Sequence, residues 1–279
     1  MDARVSHLAS SLIMVDLRIA ASTHPGLIRD HNEDAYVAGK RLVAVADGVG
    51  GEAAGEVASA LTAAALEPLN KGRIPRQPME VLRSAVEEAS RDIKRSIVNN
   101  PEQHGMATTV TALLFTGDEV TIAHIGDSRA YLLRDGEFTQ LTRDDTYVQV
   151  LIEQGSIEEA EVRTHPYRSM VTRVVSGQPV EAKLTTRPVA VGDRYLVCSD
   201  GLPDAAAAED IAAIVREVTD PEECTAQLVD LALKGGGPDN VTTVIADVAE
   251  PSKRAGFRGW FTRLSGGDSC VSMEPVRHD

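Results

Sequence analysis

The stretch Leu42-Val43-Ala44-Val45-Ala46-Asp47-Gly48-Val49-Gly50-Gly51 decides how this chain is read. Five apolar residues of strand character run straight into a carboxylate, and an alanine-rich segment of helical spacing follows. The glycines let the backbone turn tightly and approach a bound group closely. A carboxylate at the end of a buried strand is costly unless it meets a cation. The pattern comes twice more. Val120–Ile125 leads into Gly126-Asp127-Ser128-Arg129, and Tyr195–Cys198 leads into Ser199-Asp200-Gly201. A fourth acid, Asp239, stands just ahead of the apolar run Val241–Ile245. Together they predict strand-end carboxylates gathered around metal ions.

Working outward, Val15–Ala20 is expected as a first strand and Thr23–Gly26 as a turn. The charged cluster Arg29–Asp34 leads into a short strand at Ala35–Ala38, with Gly39-Lys40 as the hairpin connection to Leu42–Ala46. Val57, Ala58, Leu61, Ala65 and Leu69 predict a helix over 52–69. Met79, Leu82, Val86, Ala89, Ile93 and Ile97 predict a second, long amphipathic helix. Two successive helices between groups of strands fit a layered α+β design better than a βαβ alternation. Ala107–Thr116, Val120–Ile125 and Ala130–Leu133 are expected to form an antiparallel meander. Residues 144–177 are polar and irregular, which predicts a lid or binding loop. Strands at Lys183–Pro188 and Arg194–Cys198, helices over 209–218 and 221–233, and a last strand from Val241 complete the domain.

The chain has 279 residues and a net charge of −14, which argues against nucleic acid as a partner. Its three cysteines, Cys198, Cys224 and Cys270, form no metal motif or disulfide framework, as suits a reducing cytoplasm. No apolar run approaches the roughly 18 residues of a membrane span, and the start lacks a secretory signal. Three parts are expected: a lead-in (1–14), a catalytic domain (15–249) and a flexible basic tail (250–279). Phe257, Trp260, Phe261 and Leu264 could give that tail an apolar side.

Hard oxygen ligands without paired His or Cys point to Mg²⁺ or Mn²⁺. Two such ions about 3.5–4 Å apart, sharing a carboxylate and a water, activate that water and neutralise a phosphoryl group. Arg29 adds a bidentate donor for phosphate oxygens. The composite is a site for phosphoester hydrolysis. Each residue alone has a plainer explanation: Asp47-Gly48 as a turn, Asp200 as a helix cap, Arg129 as a structural ion-pair partner, Asp239-Asn240 as a turn former.

Six motifs stand in the order of one known family: Arg29-x-x-Asn32-Glu33-Asp34-Ala35, Asp47-Gly48-x-Gly50-Gly51, Gly105-Met106-Ala107-Thr108-Thr109, Gly126-Asp127-Ser128-Arg129, Ser199-Asp200-Gly201 and Pro238-Asp239-Asn240-Val241-Thr242. Over about residues 15–249 the chain resembles the metal-dependent, 2C-type serine/threonine protein phosphatases of bacteria. The resemblance implies a four-layer α-β-β-α sandwich of two antiparallel sheets flanked by helix pairs. It implies that Asp47 bridges two metals, that Gly48 supplies a carbonyl, and that Asp200 and Asp239 complete the first site. Glu33 and Asp34 would act through metal-bound waters, Asp127 with Asp200 would hold a third ion, Arg29 would bind phosphate, and Asn240 would support the site from behind. The activity implied is hydrolysis of phosphoserine and phosphothreonine in proteins by a metal-bridging hydroxide, by a cytoplasmic monomer opposing Ser/Thr kinases. Phosphoproteins and those kinases would be its partners.

Val49 stands where eukaryotic relatives often carry a proton-donating His, and His165 is the candidate replacement. Asp145 stands where many relatives carry His, and Val174-Val175-Ser176-Gly177 replaces a more usual run. His24, His31 and His124 are read as structural or solvated. Two other readings stay open: a non-catalytic module of the same fold, and a hydrolase of a different phosphoester.

Overall fold

The computed structural model describes residues 15–50 and 54–251. The lead-in and the apolar side of the basic tail lie outside them. The chain opens with β1 (Asp16–His24), β2 (Ala35–Ala38), β3 (Leu42–Ala46) and a two-residue β4 (Gly48–Val49). Helices α1 (Gly55–Leu66) and α2 (Pro78–Asn99) follow. Then come β5 (Ala107–Thr108), β6 (Val110–Thr116), β7 (Glu119–Ile125), β8 (Arg129–Arg134) and β9 (Glu137–Gln140). After α3 (Tyr147–Glu153) lie β10 (Lys183–Pro188), β11 (Arg194–Cys198), α4 (Gly201–Ala205), α5 (Ala208–Glu217), α6 (Pro221–Lys234) and β12 (Val241–Ala249).

The strands make two five-stranded antiparallel sheets, β1-β12-β11-β8-β9 and β10-β7-β6-β3-β2, with β4 and β5 paired as a small ribbon. Side-chain alternation explains why strand sequences here are apolar throughout. Leu42 and Ala44 face α1 and α2, where they meet Leu82, Val86, Ala89 and Ile93. Val43 and Val45 face the other sheet, packing in a layer with Leu113, Phe115, Tyr195, Val197, Val244 and Ala246. On the far side Leu196, Cys198, Val241 and Ile245 pack with Leu202, Ile211, Val215 and Leu228 of the second helical layer. Both faces of both sheets are therefore covered, which is the expected four-layer sandwich. Each fully buried Leu, Ile or Val adds about 1.5–3 kcal/mol. Phe115 and Tyr195 meet edge to face across the sheets with centroids 5.3 Å apart.

The expected meander is corrected. β7 and β8 do not pair; they belong to different sheets. Gly126, at φ +102°, makes the crossing, and a Cβ there would stand 2.6 Å from Thr109 Cγ2. The chain thus leaves one sheet at Gly126 and enters the other at Arg129, placing Asp127 on the seam between them. The strand expected over 107–116 is broken at Thr109, whose N–H donates to the Asp47 carbonyl (2.9 Å). The first helix ends at Leu66, and Glu67–Asn70 tightens into a 3-10 turn with Pro68 in it. β1 runs to His24, so the turn begins only at Pro25.

Arg194 shows how one buried cation closes a layer. Its Nε and Nη2 donate to Asp247 (2.6 and 2.8 Å), and Nη1 and Nη2 donate to the carbonyls of Val215 (3.1 Å), Val218 and Thr219 (2.7 Å). These carbonyls leave the C-terminal end of α5, where no intrahelical donor is available. Arg194→Met should cost about 3 kcal/mol in urea unfolding, because it strands a carboxylate and three acceptors. The double variant with Asp247→Leu should recover much of that loss.

Candidate active site

A cleft of about 270 Å³ opens at the strand ends, lined by Arg29, Glu33, Asp47, Gly48, Val49, Gly50, Asp127, Ser169, Val171, Asp200 and Asp239. Each acid reaches it from a different element. Asp47 follows β3 and continues the parity of Val43 and Val45, so it points into the seam between the sheets. Its N–H donates to Thr109 Oγ1 (3.0 Å), and its carbonyl accepts from Thr108 Oγ1 (2.8 Å). Gly48 is forced by crowding: a Cβ would lie 2.4 Å from the Gly55 carbonyl oxygen and 2.6 Å from that of Glu33.

Asp200 follows β11 and starts α4, yet its side chain makes no cap hydrogen bond, so the capping explanation fails. Asp239 precedes β12. Its Oδ2 accepts from Arg29 Nη2 (2.7 Å), and its Oδ1 accepts from the N–H of Asn240 (2.9 Å). Asn240 ties the β1–β2 loop to β12: Nδ2 donates to the carbonyls of Pro25 (2.9 Å) and His31 (2.8 Å), and Oδ1 accepts from the N–H of Glu33 (2.8 Å).

Asp34 sits behind the cleft. Its Oδ2 accepts from Ser199 Oγ (2.8 Å) and Thr242 Oγ1 (2.6 Å), while its Oδ1 is shielded from solvent and has no protein partner. The electrostatics carry the same message. Burial pushes the Asp34 carboxyl up to about 6 and the Asp127 carboxyl up to about 7, despite hydrogen bonds that favour the charged forms. Asp47 and Asp200 are likewise raised well above the usual carboxylate range, first by burial and then by neighbouring carboxylates. For Asp47 these are Asp34, Asp200, Asp127 and Asp239; for Asp200 they are Asp127, Asp204, Asp239 and Asp34. Carboxylates that raise one another in this way, with an orphaned oxygen among them, form a site built for positive charge. Among the described residues no three His, Cys, Asp or Glu meet as a closed cage. The acids ring the cleft instead, which suits an ion that keeps several waters.

Other residues fall into place around this ring. Arg129 pairs with Asp144 through Nε (2.9 Å) and Nη2 (2.7 Å), the structural ion pair considered above. His124 lies between Thr111 Oγ1 (2.8 Å) and the Arg143 carbonyl (3.0 Å), with burial lowering its pKa. His24 accepts from the N–H of Gly26 (3.0 Å). His165 does not line the cleft; its Nδ1 accepts from the N–H of Tyr167 (3.2 Å). Ser199, Thr242, Thr108, Thr109 and Ser169 carry parts that motif reading did not assign. The first four lie inside the motifs themselves, so their position was the available signal.

The fold and cleft define a two-sheet sandwich with an acidic, cation-seeking site at the seam. The family model described as protein phosphatase 2C matches residues 29–232, and the chain belongs to that family. It is 48% identical over 234 residues to the serine/threonine protein phosphatase PstP of Mycobacterium tuberculosis, covering 84% of this chain and 45% of that protein. The chain thus spans about half the length of this relative. It is 30% identical to the serine/threonine phosphatase stp of Listeria monocytogenes, covering 81% of this chain and 93% of that one. The solved catalytic domain of PstP, in complex with 2 manganese ions, matches with a TM-score of 0.81 at 46% identity, covering 85% of this chain and 100% of that one.

Proposed function

We propose that this chain is a Mg²⁺- or Mn²⁺-dependent phosphatase that hydrolyses phosphoserine and phosphothreonine in proteins, opposing Ser/Thr kinases. The observation that carries the reading is the gathering of Asp47, Asp127, Asp200 and Asp239 at one cleft with Asp34 behind them, burial pushing up the carboxyls of Asp34, Asp47, Asp127 and Asp200, and Arg29 paired with Asp239. Asp47 with the Gly48 carbonyl, Asp200 and Asp239 would hold two ions; Glu33 and Asp34 would act through waters; Asp127 with Asp200 would hold a third. Bound divalent ions supply charge neutralisation and an activated water nucleophile.

The protein's own groups do the rest. Arg29 binds phosphate oxygens, and Asp239 keeps its guanidinium charged and oriented at the cleft mouth. Asn240 holds the Arg29–Asp34 loop against β12, so Glu33 and Asp34 stay in register with Asp239. Val49 has no proton to give, and His165 lies outside the cleft lining with its Nδ1 on the N–H of Tyr167, so this reading gives the leaving-group proton to water rather than to either side chain. The proposed site is complete within one chain, so a monomer can carry the activity. The cytoplasmic reading rests on Cys198 and Cys224 being free and buried; no described helix is long and apolar enough to cross a membrane.

The test is hydrolysis of p-nitrophenyl phosphate and a phosphothreonine peptide after EDTA treatment, then with Mn²⁺ restored. Activity should vanish with chelation and return with the ion. Manganese binding without turnover of either compound would refute the phosphatase and favour the non-catalytic module.

A further inference from the structure

Four large apolar side chains are left more than half exposed beside the cleft: Leu27 (61%), Ile28 (71%), Tyr167 (55%) and Met170 (52%). They form two banks. Leu27 and Ile28 immediately precede Arg29, and the N–H of Leu27 donates to the Gly237 carbonyl (2.8 Å), two residues before Asp239. On the other side Met170 lies between Ser169 and Val171, both of which line the cleft. The Met170 N–H donates to the Tyr167 carbonyl (3.1 Å), its carbonyl accepts from the N–H of Tyr147 (2.8 Å), and the rings of Tyr147 and Tyr167 meet edge to face at 6.0 Å. Val49, 39% exposed, lies on the cleft wall with them.

The second bank is held up from its base. Asp145, buried, accepts from the N–H of Gly126 (3.2 Å) and pairs with Lys183 and Arg173 (Nη1 at 3.6 Å). Its backbone N–H donates to the Gly126 carbonyl (2.7 Å), and its carbonyl accepts from the N–H (2.7 Å) and Oγ1 (2.8 Å) of Thr172. Asp145 is thus fixed to Gly126, the residue preceding Asp127, and Thr172 is fixed to Asp145, while the side chains of Tyr167 and Met170 face solvent.

Apolar groups gathered around one mouth mark a binding surface rather than a random exposure. A small phosphoester fills only the anion end of such a site. An anionic lipid surface is disfavoured by the net charge of −14. We propose that the two banks are a docking surface for an extended polypeptide whose phosphoserine or phosphothreonine is flanked by large apolar side chains. This rests on the phosphatase reading above, and it makes Ile28 and Met170 specificity residues with Asp145 as a positioning residue.

Two phosphothreonine peptides of equal length and charge test it, one with leucines on both sides of the phosphoresidue and one with serines and glycines. The leucine peptide should show a kcat/KM about 10-fold higher, the effect of burying about one large apolar side chain. The double variant Ile28→Ser/Met170→Ser should erase the preference, with folding checked by circular dichroism; Tyr167→Ser, which should reduce it, is the second variant. Equal rates on the two peptides, or a preference that survives the variants, would overturn the surface and leave the phosphatase standing. No turnover of either peptide or of p-nitrophenyl phosphate with Mn²⁺ would overturn both.

Discussion

Asp47→Asn is expected to lower metal-dependent turnover of p-nitrophenyl phosphate by about 10³-fold or more, and Asp239→Asn to do the same. A bound divalent ion is worth several kcal/mol of charge stabilisation, and each 1.36 kcal/mol is a factor of ten. Both substitutions keep size and hydrogen-bonding shape and remove one charge. Stability separates this from a folding defect. In the metal-free protein Asp47 is pressed by burial and by Asp34, Asp200, Asp127 and Asp239. Removing its charge relieves repulsion, so metal-free Asp47→Asn should melt no lower than the parent. Added Mn²⁺ should raise the melting temperature of the parent and raise that of the variant much less. Asp239→Asn differs in one respect: it also weakens the 2.7 Å contact to Arg29, so the KM for phosphate esters should rise as well. Turnover kept within about ten-fold by both variants would sink the metal-site assignment.

Asp47, Asp127 and Asp200 were legible because each closely follows a strand, and Asp239 because it closely precedes one, and the apolar run of each strand is itself a strong local signal. Asp47 after Leu42–Ala46 and Asp200 after Arg194–Cys198 occupy the places the sequence assigns them. The helices α2 and α6 were legible through their spacing, with Asp220 capping α6 by accepting from the N–H groups of Glu222 and Glu223. What stayed hidden depends on pairing between distant segments. Nothing local tells that β7 and β8 part company at Gly126, because the turn residues there also suit a hairpin. The partners of Asp34, Ser199 and Thr242, lie 165 and 208 residues away, and hydroxyls carry little signal of their own. Asp145 read only as a departure from a family pattern. Its role appears once Lys183 of β10 and Gly126 of the sheet crossing are brought beside it.

Gly201→Ala is expected to destabilise the fold by about 3 kcal/mol and to weaken Mn²⁺ binding with it. Two effects oppose each other at this position. Gly201 opens α4, and alanine is favoured over glycine in a helix by about 1 kcal/mol. Against that, a Cβ at Gly201 would stand 2.0 Å from the Asn240 carbonyl oxygen and 3.0 Å from its carbon. That neighbour is backbone, not the end of a flexible side chain, so it yields only if β12 or α4 shifts. Asn240 cannot shift alone: it holds Pro25, His31 and Glu33, and its N–H donates to Asp239. The contact therefore outweighs the propensity, and the displacement is passed to Asp239 on one side and Asp200 on the other. Gly72→Ala is the comparison. It meets no atom within 4 Å but sits at φ +71°, so it should cost only about 1–2 kcal/mol and leave metal binding unchanged. Urea unfolding and Mn²⁺ titration of the two variants decide the matter. A Gly201→Ala protein more stable than the parent would mean that helix propensity wins and that α4 does not press on the Asp239-Asn240 segment that leads into β12.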